Sequence, residues 1–262
     1  MRLHLFEWHE QAWFPISLRT AMTSYLTAAY GITSLPKLWA LCLSKLMSRE
    51  GVNAMVDLGS GSGGPVGGVV QELEKCGFTV CVTLTDLYPN ASELQFPVVG
   101  ASSIRYWPEP VDATRVPAAL HDLRTMFTLF HHFRPPVARE ILRDAFEQRC
   151  PIGIFEGTSR TPAAIASAFL IPLLVLLLTP LVRPVSGVQI LFTYVVPILP
   201  VLIFWDGFVS QLRTYSVSEL EAFTRDLQSP EYRWEVGLIK IPRMPGGVPY
   251  LMGRPVLASG IG

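Results

Sequence analysis

Residues 56–64, VDLGSGSGG, set one acid and four glycines directly behind an apolar, strand-like run. Bare backbone at such a place lets a ligand approach closely, and the helix that follows offers its free N–H groups. Gly59, Gly61 and Gly64 also fit G-x-G-x-x-G, so the glycines alone do not separate a dinucleotide from other nucleotide-like ligands. No Gly-Lys-Ser/Thr follows, which excludes a P-loop. Carboxylates close three successive apolar runs. Asp57 precedes the first glycine. Asp86 ends the second run, where a carboxylate can accept both hydroxyls of a ribose, and Asp112 with Ala113 ends the third, where an acid and a backbone N–H can meet a base edge. His131 and His132 leave a fourth run and Glu156 a fifth. An imidazole titrating near 6.5 is suited to take a proton from a phenol or an ammonium, and Glu156 to orient an acceptor or to cap a turn. At the N-terminus, FEWHEQAWF places Glu7, His9 and Glu10 among Trp8, Trp13 and Phe14. Glu7, His9 and Trp13 could line the acceptor side of a site; equally, the tryptophans could anchor at a membrane interface or pack.

The elements that must position these residues alternate. Apolar residues three and four apart predict helices within 11–48, broken at Gly31 and Pro36. AMVDLG (54–59), TVCVTLTD (79–86), IRYWPEPVDAT (104–114), RTMFTLFHHF (124–133) and IGIFEGT (152–158) read as strands, with helices over 64–77 and 135–149. Strands alternating with such helices predict βαβ units and a parallel, doubly wound α/β sheet. Residues 163–182 and 188–205 then form two uncharged apolar stretches of 20 and 18 residues, parted by Arg183 and PVSG. Roughly 20 apolar residues suffice for a bilayer-spanning helix, so a membrane hairpin, spanning or re-entrant, is expected; a buried helix pair is the alternative. Arg160 and Arg213 flank it and Arg183 marks its tip, which places the folded domain on the cytoplasmic side. Ser216 and Glu219 form a capping-box signature, and 232–242 and 248–257 read as two closing strands. The expected division is a helical lid (1–50), an α/β domain (51–160), the hairpin (161–206) and the completion of the α/β domain (207–262).

Composition narrows the partners. Lys+Arg and Asp+Glu stand at 21 each, so no overall charge favours a nucleic-acid partner. Charged residues are only 16%, a deficit concentrated in the hairpin. Cys42, Cys76, Cys81 and Cys150 are scattered, without C-x-x-C or histidines at ligand spacing; no metal site is expected, and a reducing compartment fits. The first ten residues hold acids and histidines without an apolar run, unlike a signal peptide.

Taken together, VDLGSGSGGP, LTDLYPN, VDAT and LFHHF resemble, in order, the motifs of class I S-adenosylmethionine-dependent methyltransferases. The resemblance covers about 50–160 and resumes weakly over 205–257; the apolar insertion departs from it. It implies a Rossmann-like sheet closed by an antiparallel hairpin, with S-adenosylmethionine as cofactor. Gly59, Gly61 and Gly63 would lie along the methionine part and Asp57 at its amino end, with Asp86 on the ribose and Asp112 and Ala113 on the adenine. With the hairpin beside the site, the expected activity is a membrane-associated methyltransferase acting on a lipophilic small molecule or lipid headgroup. A nicotinamide-dependent oxidoreductase and a non-catalytic membrane-tethered nucleotide-binding protein are the competing readings.

Overall fold

Strands buried on both faces belong to a parallel sheet covered by helices, and the apolar runs meet that condition. In the computed structural model, which describes residues 2–89, 100–183, 185–242 and 246–256, β1 (Ala54–Leu58), β2 (Cys81–Thr85), β3 (Ser103–Tyr106), β4 (Leu123–Phe127) and β5 (Ile152–Phe155) run parallel. With β6 (Tyr232–Ile239) and β7 (Val248–Pro255) they form a seven-stranded sheet in the order β3-β2-β1-β4-β5-β7-β6. β7 is antiparallel to both neighbours, so the chain rejoins the same sheet after the apolar segments. The strand order reverses between β1 and β4, and the crevice beyond their C-terminal ends is where open α/β sheets bind ligands.

One face of the sheet buries α2 (Leu35–Glu50) and α3 (Val66–Lys75) around Trp39, Leu43, Val69 and Leu73. The other buries α4 (Pro135–Glu147) and α9 (Val217–Thr224) around Ile141, Leu142, Leu220 and Phe223. α2 therefore lies in a sheet layer rather than over the crevice. Ser216 caps α9 in the expected capping box with Glu219. α1 (Ile16–Ile32) packs instead on the apolar segments through Met22, Tyr25, Val175, Leu199 and Ile203. Tyr25 Oη bonds Thr179 Oγ1 at 2.5 Å and Thr193 Oγ1 at 2.9 Å, tying α1 to both arms.

Those arms differ from two plain helices. Residues Pro162–Leu181, including α5 (Pro162–Ser167) and α6 (Ile171–Leu178), form one helical run long and apolar enough to cross a membrane. The second arm, α7 (Gly187–Ile190) with a π-helical turn to Val195, bends by 89° before α8 (Ile198–Arg213). Pro197 and Pro200 lack the N–H groups that a continuous helix needs, which accounts for the break.

Two expected strands are shorter than their apolar runs. β3 stops at Tyr106, because Pro108 and Pro110 cannot extend a ladder, so Asp112 and Ala113 sit on a following loop. β4 stops at Phe127, and His131 and His132 occupy a 3₁₀ turn, Phe130–His132, rather than the strand end. Between them Thr128 takes φ +53°, an uncommon conformation for a β-branched residue.

Candidate active site

The glycine loop is held from below by polar side chains. Asp57 pairs in register with Thr125 across β1 and β4, so Thr125 Oγ1 donates to Asp57 Oδ1 at 2.9 Å, and Ser60 Oγ donates to Oδ2 at 2.7 Å. Burial pushes the Asp57 carboxyl up to about 7, against the two hydroxyl bonds that favour its anion. Gly59 adopts φ +66°, and a Cβ there would stand 2.3 Å from Leu129 Cδ2. Gly61, at φ +52°, faces open space; its N–H donates to Asp86 Oδ2 at 2.8 Å, while Tyr88 N–H donates to Oδ1 at 2.9 Å. Each Asp86 oxygen keeps a further lone pair for a ligand hydroxyl. Val111 N–H bonds the Asp86 carbonyl at 2.9 Å and so brings Asp112 and Ala113 beside β2. Asp112 Oδ1 accepts from Thr114 N–H at 2.8 Å and Thr114 Oγ1 at 2.7 Å. Asn90, the last residue of LTDLYPN, lies outside the described residues.

From this loop a cavity of about 460 Å³ runs up into the helices. Its floor is Asp57 and Gly59–Pro65, its polar wall Glu7, His9, His131, His132 and Asp206, and its apolar wall Leu174, Val175, Leu178 and Ile203. Asp86, Asp112 and Ala113 are outside the lining. Glu156 stands behind the wall: it accepts from His131 N–H at 2.9 Å and meets His131 Nδ1 at 2.7 Å. His131 Nε2 is buried and has no hydrogen-bond partner. His132 Nδ1 meets Glu10 Oε1 at 2.5 Å, and burial lowers its pKa, with His131 adding to the effect. Trp13 is outside the cavity lining and 68% exposed, edge-on to Trp8 and Phe14.

The N-terminal segment, residues 2–14, reaches this wall because α8 holds it there. Asp206 accepts from Trp8 N–H at 2.7 Å and His9 N–H at 3.2 Å, and meets His9 Nδ1 at 2.8 Å. Burial opposes a charged His9, yet Asp206, Glu7 and Glu10 outweigh it and its pKa rises. Arg213 is buried. Its guanidinium donates to Leu5 O and to Glu10 at 2.6 and 2.8 Å, and lies 3.3 Å from Glu7 Oε1. Although it flanks the apolar segments in sequence, it is turned into the protein and not toward solvent. Glu7 is buried too: Ser210 Oγ donates to Oε1 at 3.1 Å, Oε2 has no hydrogen-bond partner, and burial raises its pKa. Ser210 is the site residue that sequence reasoning passed over; Glu10, Asp206 and Arg213 stood out in the sequence, but not the Arg213–Glu10 pairing or the hold of Asp206 on the N-terminal segment. A signal existed, since Asp206, Ser210 and Arg213 recur at i, i+4 and i+7 and share one face of a largely apolar helix.

No family model matches the sequence, and no curated protein matches it. Solved structures do resemble it. The methyltransferase domain of bacterial CtHen1 superposes with a TM-score of 0.50 at 13% identity, covering 85% of this chain and 100% of that one. The mitomycin 7-O-methyltransferase MmcR gives 0.48 at 16% identity, over 85% of this chain and 54% of that one. The plantazolicin methyltransferase BpumL, in complex with a triazolic desmethylPZN analog and SAH, gives 0.46 at 12% identity, over 91% and 86%. The chain thus spans about half the length of MmcR. With its sheet order and antiparallel β7, the architecture is that of a Rossmann-like methyltransferase fold.

Proposed function

We propose that the protein is an S-adenosylmethionine-dependent methyltransferase, membrane-associated, acting on a lipophilic small molecule or lipid headgroup. The observation that carries this reading is the single cavity joining the glycine loop to His131 and to an apolar helical wall.

The residues fit the cofactor. A buried carboxylate whose pKa is pushed up to about 7 gains from a cationic neighbour, which suits Asp57 to the ammonium end of a methionine moiety. Gly59, Gly61 and Gly63 leave backbone exposed along it, Asp86 has lone pairs for the ribose hydroxyls, and Asp112 with Ala113 flanks the base. When bound, S-adenosylmethionine supplies a methyl group on a sulfonium. The chain's own task is alignment, water exclusion and proton removal. Glu156 fixes the orientation of His131, whose free Nε2 is the base for an acceptor proton. His132 lies beside it, the ring centroids 4.2 Å apart, and completes the acceptor wall with Glu7 and His9.

Membrane association rests on the outer surface of the helices. Only 17% of the Pro162–Leu181 window is buried, whereas a core helix is mostly buried. Phe169, Leu170, Leu173, Leu177 and Leu181 are exposed, as are Val195 and Val201 of the second arm; large apolar side chains exposed in such number suit contact with a membrane. With Arg160 at the domain side, paired to Glu219 at 2.6 Å, the folded domain faces the cytoplasm.

Calorimetric titration of the detergent-solubilised chain tests the cofactor site. S-adenosylmethionine should bind, and Asp86→Ala should weaken it about 100-fold, the scale of two charge-assisted hydrogen bonds. Unchanged binding in that variant contradicts the assignment.

A further inference from the structure

The acceptor wall carries a second arrangement. One ligand atom each from Glu7, His131 and His132 lies within 4.8 Å of the others, and all three residues line the cavity. Each histidine has its Nδ1 against a carboxylate, His131 on Glu156 at 2.7 Å and His132 on Glu10 at 2.5 Å. Imidazoles that ligate metal usually give their other ring nitrogen to a carboxylate or carbonyl in this way, which fixes the ring and raises the basicity of the ligating nitrogen. Two buried atoms in the cluster have no hydrogen-bond partner, His131 Nε2 and Glu7 Oε2. Orphaned buried polar atoms are rare and costly. Here both belong to residues of one two-histidine, one-carboxylate set, drawn from chain segments more than 120 residues apart.

We infer that Glu7, His131 and His132 form a divalent transition-metal site at the acceptor end of the cavity. Two imidazoles and one carboxylate are the ligands of open sites that hold zinc or iron and keep positions free for another molecule. Ligands about 2.1 Å from an ion stand closer together than 4.8 Å, so the three side chains draw inward on binding. Ser210 steadies Glu7 through its other oxygen, which also lies 3.3 Å from Arg213 Nη1, itself paired with Glu10, while His9 Nδ1 stands 3.5 Å from Glu7 Oε2 and gives way to the ion. The second possible group, Glu7 with His9 and Asp206, is weaker because Asp206 is already spent on Trp8 N–H, His9 N–H and His9 Nδ1. The free positions of the ion open on the cavity, which favours acceptors presenting a hydroxyl or carboxylate oxygen over amines. That preference rests on the methyl-transfer reading, while the metal site does not. In the loaded protein His131 holds the ion, and it acts as a base only in the metal-free chain.

The test uses zinc and manganese chloride on the full chain in detergent after chelator treatment, with calorimetry and elemental analysis. One ion per chain is expected. Glu7→Gln and His132→Asn should each weaken binding at least 100-fold, and Glu10→Gln, which leaves the ligands in place, roughly 10- to 100-fold. S-adenosylhomocysteine affinity and the melting temperature are read on the same variants; an intact melt with lost metal supports the site whether or not the nucleoside binds. Absence of binding of either ion to the wild-type chain overturns the inference, as does unchanged affinity in well-folded Glu7→Gln and His132→Asn.

Discussion

The two ends of the cavity are built on opposite plans. At the glycine loop the working surface is mostly backbone, supported by one buried acid and two hydroxyls. At the acceptor end the surface is side chain. Glu7, His131, Asp206 and Arg213 are all buried, with Glu10 and His132 completing the network. Backbone held by a short sequence motif suits a ligand whose shape is fixed. A buried ionic network costs desolvation and holds only when its partners are complete, so it suits selection of one acceptor and exclusion of water.

The largest expected effect separates the two ends. In the metal-free chain His131→Asn should lower methyl transfer by 10²- to 10⁴-fold, the range for losing general-base assistance, with S-adenosylmethionine affinity unchanged; a matching loss of affinity would mean that the ends are not independent. Arg213→Ala comes next. It strands Glu7 and Glu10, and breaking one side of a buried pair typically costs about 3–5 kcal/mol, so chemical denaturation should show a loss of that size.

Asp57 sharpens the comparison through pH. Its folded-state pKa of about 7 stands above the ordinary 3.8, so the fold prefers the protonated form. Stability should therefore fall as pH rises from about 4 to about 7 and stay lower above, by on the order of 4 kcal/mol. Asp57→Asn should be more stable than wild type at pH 8, match it near pH 4, and bind S-adenosylmethionine poorly at both; a flat wild-type profile would refute the buried acid. The smallest effect is the control. Arg149 and Glu231 pair at the surface, 64% and 60% exposed, and Arg149→Ala should shift stability by less than about 1 kcal/mol.

The same contrast decides what could be read from the sequence. The glycine loop, Asp57 and Asp86 were legible because one strand, one turn and one helix carry them within about thirty residues, and alternating strands and helices imply a parallel sheet with right-handed crossovers. Asp112 was legible as a residue but not as a position, since Pro108 and Pro110 end β3 early. The acceptor end was legible only as candidates. His131, His132, Glu156, Glu7 and His9 could be named, but nothing local says that the N-terminal segment lies against the Phe130–His132 turn. That placement comes from Asp206 and Arg213, buried on α8 by contacts that span some two hundred residues. Trp13, grouped with its neighbours by sequence, stands at the surface, because the 3₁₀ turn at Trp8–Glu10 sends the chain outward toward α1. The bend in the second apolar arm is a proline effect whose size no composition reveals.

The central claim is that the glycine loop and the His131 wall serve one methyl transfer into an apolar acceptor. Membranes containing the protein, incubated with methyl-labelled S-adenosylmethionine and then solvent-extracted and fractionated, test it directly. The account predicts label in a single organic-phase product, lost in Asp86→Ala and in His131→Asn. No transfer to any membrane or extract component, by protein that binds S-adenosylmethionine, would contradict it.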